Sequence, residues 1–296
     1  MNIIEINGLT KYYGKHRGVE DLSFSVKEGE IFGFIGPNGA GKSTTIRTML
    51  NLIAPTKGSI EIFGKDSRKD AALIAEDIGY LPSEVYYYEE MKVGELLAYS
   101  ASFYKKDCKK RIAELSELLE LDLSRKIEDL SYGNRKKVGI VQGLLHDPRL
   151  IILDEPTSGL DPLMQQKFFH LLKEENERGK TIFFSSHILS EVQKLCHRVA
   201  ILREGHLVKL DEINNLRDES YRRFTLETKE GSLEELLAVE GITHVTRENH
   251  TVSFIYKGDM SRILPFLAQA PLRDMLIEEP SLEEVFLHYY EKEDQK

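Results

Sequence analysis

Apolar residues fall on alternate positions in "NIIEINGL" and again in "VEDLSFSV", the period of strands with one buried and one wet face. The pattern then changes. "IFGFIG" is apolar over consecutive positions and stops at glycine, "STTIRTMLNLI" has helical spacing, and "LIILD" and "TIFFSS" are further unbroken apolar runs followed by helical patterns. Continuous apolar strands alternating with helices predict a parallel α/β core, to which the alternating N-terminal strands add an antiparallel layer. Between "IGYLP" and "LIILD" stand three helical patterns, beginning near Val93, Cys108 and Gly133, with no strand among them. They predict a helical subdomain inserted over about 83–146.

After "RVAILREGHLVKLDE", read as a strand pair turning at Glu204 and Gly205, the polar stretch Asn214 to Ser220 reads as a linker. Beyond it the patterns predict strand "RFTLET", helix "SLEELLAVE", strands "THVTR" and "TVSFIY", helix "MSRILPFLAQA", strand "DMLIEE" and helix "SLEEVFLHYY". That is β-α-β-β-α-β with one added helix, the order of a ferredoxin-like split unit. The expectation is therefore two modules, residues 1–215 and a small α+β domain over 221–296.

Charge supports the division. Residues 1–210 hold 30 basic and 30 acidic side chains, so the whole net charge of −9 falls in the last 86 residues. No basic block exceeds three residues, which leaves a nucleic-acid duplex or an anionic lipid surface nothing to condense on, and neither is expected as a direct partner. The chain of 296 residues is 41% hydrophobic and 30% charged, a globular balance. Cys108 and Cys196 stand apart from any Cys/His spacing and read as small buried hydrophobes rather than a disulfide or zinc site. The N-terminal residues lack a secretory pattern, and the most apolar stretch, Val138 to Leu153, is interrupted by Gln142, His146, Asp147, Pro148 and Arg149. A cytoplasmic protein without direct membrane insertion is expected.

The sharpest chemical signal is "GPNGAGKST". Gly36 and Gly41 bracket four residues and Lys42 and Ser43 follow, the P-loop pattern, placed directly after a buried strand and at the opening of a helix. Backbone N–H groups from Gly36, Pro37 onward through Asn38, Gly39, Ala40, Gly41 and Thr44 and the helix N-terminus then converge on a phosphate position, with proline contributing shape rather than a donor. Lys42 supplies charge for the β and γ phosphates and Ser43 a hydroxyl for Mg²⁺. "LIIL" leads into Asp154 and Glu155, two carboxylates at a strand end beside that loop. Different jobs are expected of them: Asp154 would hold Mg²⁺ and Glu155 orient or deprotonate the water attacking the γ-phosphate.

Further motifs narrow the family. "LSYGN" at Leu130 to Asn134 resembles the LSGGQ signature of ATP-binding-cassette (ABC) proteins, Ser158 to Asp161 in "DEPTSGLDP" resembles the D-loop, and His187 in "SSH" the switch histidine. Tyr13 in "KYYG" stands where the family stacks an aromatic ring on adenine. Taken singly, Ser131 could equally be a helix-capping hydroxyl and Tyr13 a packed aromatic; it is their joint order, over residues 2 to about 210, that carries the resemblance. It implies a P-loop NTPase ABC cassette with a RecA-like parallel core, an antiparallel β subdomain and an inserted α-helical subdomain. It also implies ATP and Mg²⁺ as cofactors, ATP hydrolysis, and a dimer in which Ser131, Gly133 and Asp161 act in trans on the partner's nucleotide.

Glutamine is usual in the family at the position of Ser83, where it touches Mg²⁺ and links the site to the membrane partner. Serine is too short for that, so either water bridges the gap or Glu84 substitutes. Tyr132 and Asn134 also depart from the signature, whereas Ser131 and Gly133 keep it. The helical insertion is where such proteins grip membrane subunits, and one or two of Tyr86, Tyr87 and Tyr88 are expected to be exposed there. The ending resembles the tail of ATPases serving bacterial ABC-2-type exporters. The expected function is thus an ATP-hydrolysing subunit at the inner face of the cell membrane, driving a separate integral permease in export; the alternative is a soluble ABC ATPase or nucleotide-gated regulator without one.

Overall fold

The computed structural model describes residues 1–216, 221–228 and 233–278, and the chain divides into two compact units, Met1–Glu212 and Ile213–Lys296. In chain order the first unit has β1 (Asn2–Tyr13), β2 (His16–Lys27), β3 (Ile31–Ile35), α1 (Lys42–Met49), β4 (Lys57–Ile62), β5 (Lys65–Asp66), α2 (Ala71–Ala75) and β6 (Ile78–Leu81). It continues with α3 (Val93–Ala101), α4 (Lys109–Leu118), α5 (Tyr132–Leu144), β7 (Leu150–Asp154), α6 (Pro162–Glu177), β8 (Thr181–Ser186), α7 (Leu189–Leu195), β9 (Arg198–Arg203) and β10 (His206–Glu212).

Two sheets result. The six-stranded sheet has the order β10-β9-β3-β8-β7-β6, parallel from β9 to β6 with β10 antiparallel at its edge; the other, β2-β1-β4-β5, is antiparallel. Phe24 of β2 packs against Phe32, Phe34 and Phe183, with ring centroids 5.5, 5.5 and 6.5 Å away, so the antiparallel sheet covers one face of the parallel one. Phe184 points the other way and meets Phe169 of α6. Strands covered on both faces must be apolar throughout, which is why "IFGFI", "LIILD" and "TIFFSS" do not alternate. Each fully buried Phe contributes roughly 1.5–3 kcal/mol.

The three inserted helices start at Val93, Lys109 and Tyr132, and Cys108 and Cys196 are buried free thiols. The helix after the P-loop is shorter than its apolar spacing predicts. It ends at Met49 because the N–H groups of Leu52 and Ile53 fold back onto the Arg47 carbonyl while Asn51 turns left-handed at φ 54°. No helix among the described residues is long and apolar enough to cross a membrane.

The second unit contains α8 (Ile213–Leu216), β11 (Tyr221–Thr228), α9 (Glu234–Leu237), β12 (Ile242–Glu248), β13 (Thr251–Lys257), α10 (Met260–Gln269) and β14 (Leu272–Glu278). Its antiparallel sheet has the order β12-β13-β11-β14, the ferredoxin-like arrangement. Two local expectations need correction. The stretch read as linker begins with the helical turn α8, and the helix expected over "SLEELLAVE" is confined, among the described residues, to α9. The helix expected at "SLEEVFLHYY" lies outside the described residues.

Candidate active site

The P-loop joins the end of β3 to the first turn of α1. Gly41 caps α1 at φ 103°, and a Cβ there would stand 2.4 Å from Val19 Cγ1; one on Gly36 would stand 2.5 Å from the Leu202 carbonyl oxygen. The protein's own packing, not only the approach of phosphate, therefore excludes side chains at both positions. Pro37, Asn38 and Gly39 form the exposed tip, and Ala40 is buried behind it, its N–H donating to the Pro37 carbonyl at 3.1 Å. The N–H groups of the first helical turn lack intrahelical acceptors and lie at the positive end of the helix dipole.

Lys42 is 5% exposed and curls into this loop. Its Nζ donates to the carbonyls of Gly36 at 2.7 Å and Pro37 at 3.2 Å, and lies 3.3 Å from Glu155 Oε1. The same carboxylate oxygen is 3.2 Å from His187 Nδ1, so Glu155 bridges the P-loop lysine and the histidine that follows β8. Glu155 holds φ 48°, a conformation that costs a non-glycine residue on the order of 1 kcal/mol and that turns its side chain off the strand toward the loop.

Asp154, one residue earlier, is in a different environment. It is 1% exposed and accepts hydrogen bonds from Ser43 and, at 3.2 Å, from Ser185 Oγ. Burial raises its carboxyl above the usual range despite those hydroxyls and the pull of Lys42. Tyr13 stands at the end of β1, half-exposed, with its hydroxyl within 3.5 Å of Thr44 Oγ1 and the Lys11 ammonium 5.2 Å from its ring centre. Tyr13, Lys42, Ser43, Thr44, Asp154, Glu155 and His187 are thus gathered around the P-loop.

Ser131, Gly133 and Asp161 form a second group. Ser131 Oγ caps α5, accepting from the Asn134 N–H at 3.3 Å, and Asp161 caps α6, accepting from the Met164 N–H at 3.0 Å, which lowers its carboxyl below the usual range. A Cβ on Gly133 would stand 2.5 Å from the Gly159 carbonyl, so the two turns abut. Among the described residues no hydrogen bond or ion pair joins this group to the P-loop group.

Ser83 enters the structure through its backbone: its carbonyl accepts from Lys136 Nζ at 2.9 Å, and Pro82's does so at 3.0 Å. Glu84 is exposed and takes the Tyr86 hydroxyl. Tyr86 and Tyr88 are exposed, whereas Tyr87 is half-buried with its hydroxyl donating to the Arg135 carbonyl. Lys136 is fully buried; burial pulls its ammonium down to about 8 against the opposing attraction of Asp154 and Glu155. Sequence reasoning missed it, although the signal was there: Lys136 precedes Ile140 by four residues and Leu144 by eight, on the buried stripe of α5. Ser185, which orients Asp154, was passed over as one more strand residue.

Comparison with known proteins matches residues 19–158 to the family described as ABC transporter and residues 212–290 to the C-terminal domain of DrrA1-3-like ATP-binding proteins. The chain is 41% identical over 229 residues to the bacitracin transport ATP-binding protein BcrA of Bacillus licheniformis, covering 76% of this chain and 75% of that one. It is 32% identical to the linearmycin resistance ATP-binding protein LnrL of Bacillus subtilis, over 97% of each chain. Among solved structures, a dimeric bacterial ABC transporter cassette matches at TM-score 0.66 and 25% identity, over 71% of this chain and 98% of that one.

Proposed function

Since the chain belongs to the ABC transporter family and is an ATP-binding, ATP-hydrolysing subunit, we propose that two copies close head to tail on two ATP molecules and drive a separate integral permease in export. The observation that carries this reading is the linkage of Glu155 to both Lys42 and His187 over a P-loop, with Ser131 and Gly133 presented elsewhere on the same unit. A chain with one of each half-site completes them by pairing with a second copy, as the dimeric cassette structure supports.

In the closed pair the P-loop N–H groups and Lys42 hold the β and γ phosphates, and Tyr13 lies against the adenine. From the partner copy, Ser131 and Gly133 face the γ-phosphate, with Asp161 beside them. Lys42 leaves the Gly36 and Pro37 carbonyls for phosphate oxygens as nucleotide enters, which frees Glu155 to accept the proton of the attacking water. His187 donates to Glu155 or the γ-phosphate, fixing the line of attack.

The donor set fits Mg²⁺. Ser43 and Asp154 offer hard oxygen ligands already in contact, and Asp154 is a buried carboxylate whose charge the surrounding hydroxyls do not fully offset. Asp154 and Ser43 would hold such an ion together with phosphate oxygens. Magnesium bound there would neutralise phosphate charge during transfer.

Two features support a permease contact at the helical subdomain: Tyr86 and Tyr88 are exposed there, and an open concavity of about 420 Å³ is lined by Leu50, Leu52, Tyr80, Pro82 and Tyr104. Such a groove suits a short amphipathic helix. The bacitracin and linearmycin relatives and the DrrA-like second unit support export. The subunit then works in the cytoplasm, at the inner face of the membrane, through its permease.

Glu155→Gln tests the reading. Turnover should fall about 100-fold or more, while ATP-dependent dimers, followed by light scattering after size exclusion, persist because the phosphate cradle is intact. Turnover equal to the parent's removes Glu155 from this role, and a variant that stays monomeric under saturating ATP removes the paired site.

A further inference from the structure

A lysine wholly withdrawn from water costs several kcal/mol unless its charge and donors are compensated. Lys136 meets this demand in an unusual way. Two of its three ammonium protons go to consecutive carbonyls, Pro82 at 3.0 Å and Ser83 at 2.9 Å, in the segment that leaves the end of β6. That segment has left the sheet, so these carbonyls have no ladder donors. The compensating negative charge comes from Asp154 and Glu155 at the end of the neighbouring strand β7. The bond is also answered in the opposite direction: Tyr87, four residues after Ser83, donates its hydroxyl to the Arg135 carbonyl at 3.3 Å. The segment 82–87 and the first turns of α5 are therefore clamped together from both sides, and α5 is the helix that Ser131 caps.

We propose that Lys136 is a positioning residue for hydrolysis: its ammonium fixes the Pro82–Ser83 turn at the nucleotide edge and ties it to α5, so that movement of the Ser131 end is felt at Asp154 and Glu155. Ser83 takes part through its carbonyl, and its side chain is dispensable. The role follows from geometry. An apolar side chain at position 136 would leave two carbonyls unpaired and remove the cation that Asp154 and Glu155 attract. Because Lys136 touches neither the P-loop nor its lysine, its loss should alter the rate of the chemical step and spare nucleotide affinity.

The inference rests on the ATPase reading, and the test separates the two. In the full-length protein, Lys136→Met, an unbranched apolar side chain one atom shorter, is compared with Lys136→Gln, which keeps a donor without the charge. Lys136→Met should lower kcat about 10-fold or more with KM for ATP within about 3-fold, and amide hydrogen exchange should quicken at residues 83–88 but not in the P-loop. Lys136→Gln should restore slow exchange in part and kcat in part. Parental kcat in Lys136→Met overturns the proposal, as does a parallel decline of kcat, affinity and thermal stability with exchange quickened throughout, the mark of a merely structural lysine. Should Lys136→Met fail to fold, the split between kcat and KM in Lys136→Gln decides. If the parent itself does not hydrolyse ATP, the ATPase reading is what fails, and unchanged exchange at residues 83–88 in the variants would then still overturn the role of Lys136.

Discussion

In the first unit Lys42, Lys136, Asp154, Glu175 and Glu191 are buried among the aliphatic and aromatic side chains, whereas the described core of the second unit is Phe224, Leu226, Leu236, Val252, Phe254, Tyr256, Ile263 and Leu267 with no charged side chain buried. The two units thus solve packing differently. The second buries what is cheapest to bury, including Phe224 and Phe254 stacked at 5.0 Å. The first holds charges inside, each matched by a partner: Lys42 by two carbonyls and Glu155, Lys136 by two carbonyls, Glu175 by Arg111 at 2.5 Å and Arg178 at 3.0 Å. Buried charges are expensive unless matched, and two of them, Lys42 at the opening of α1 and Asp154 at the end of β7, stand at the P-loop. That concentration identifies the working unit.

Substitutions can break this contrast. The largest effect is expected at Lys42: Lys42→Ala should lower kcat/KM for ATP about 1000-fold, roughly 4 kcal/mol, by removing the charge that the phosphates require. Steady-state hydrolysis measures it, and a kcat/KM for ATP within about tenfold of the parent's would refute it. In the second unit Phe254→Ala should cost about 3 kcal/mol of that unit's stability by opening a cavity beside Phe224, read by denaturant unfolding, with ATP turnover unchanged. A matching loss of turnover would show that the units are coupled in the chemistry.

His146 sharpens the contrast in its response to pH. It is 1% exposed, stacks on Tyr104 at 3.9 Å, donates from Nε2 to the Ile78 carbonyl and leaves Nδ1 unpartnered; burial pulls it down to about 4. The folded state therefore binds fewer protons than the unfolded one between pH 4 and the ordinary histidine value of about 6.5. This contribution is fully present above that value and lost as pH falls, by about 2 kcal/mol at pH 5. His146→Gln, which keeps a donor for Ile78, should flatten the fall in stability between pH 7 and pH 5; an equally steep fall in the variant would assign it to other groups. The smallest effect is expected at Ser83, where Ser83→Ala should change turnover less than about twofold, since the backbone carbonyl does the work. A loss rivalling that of Lys42→Ala would restore the side chain to the site.

Much of this was legible in linear order. The unbroken runs "IFGFI" and "LIILD" announced strands covered on both faces, and the P-loop, Asp154, Glu155 and His187 could be named because each motif is short and sits where a strand ends. Less legible were features that depend on what lies opposite. Ser131 read both as a cap and as a signature residue, and the structure shows it capping α5. Lys136 passed as one of three consecutive basic residues, although its neighbours are partly exposed and it alone faces inward.

The sequence by itself determined the buried strands and the helices that alternate with them, the two-unit division and the phosphate loop, because periodicity and glycine placement are local and survive without knowledge of the fold, whereas β4, β5 and α2, too short to carry a period, were not read from it. Only the tertiary structure decided which lysine is buried, which tyrosine of three turns inward, that Gly36 and Gly41 are held by Leu202 and Val19, and that Lys136 meets Ser83 at its backbone carbonyl. Those outcomes depend on distances between segments far apart in the chain, and solvation is settled by what packs across from a residue rather than by what precedes it.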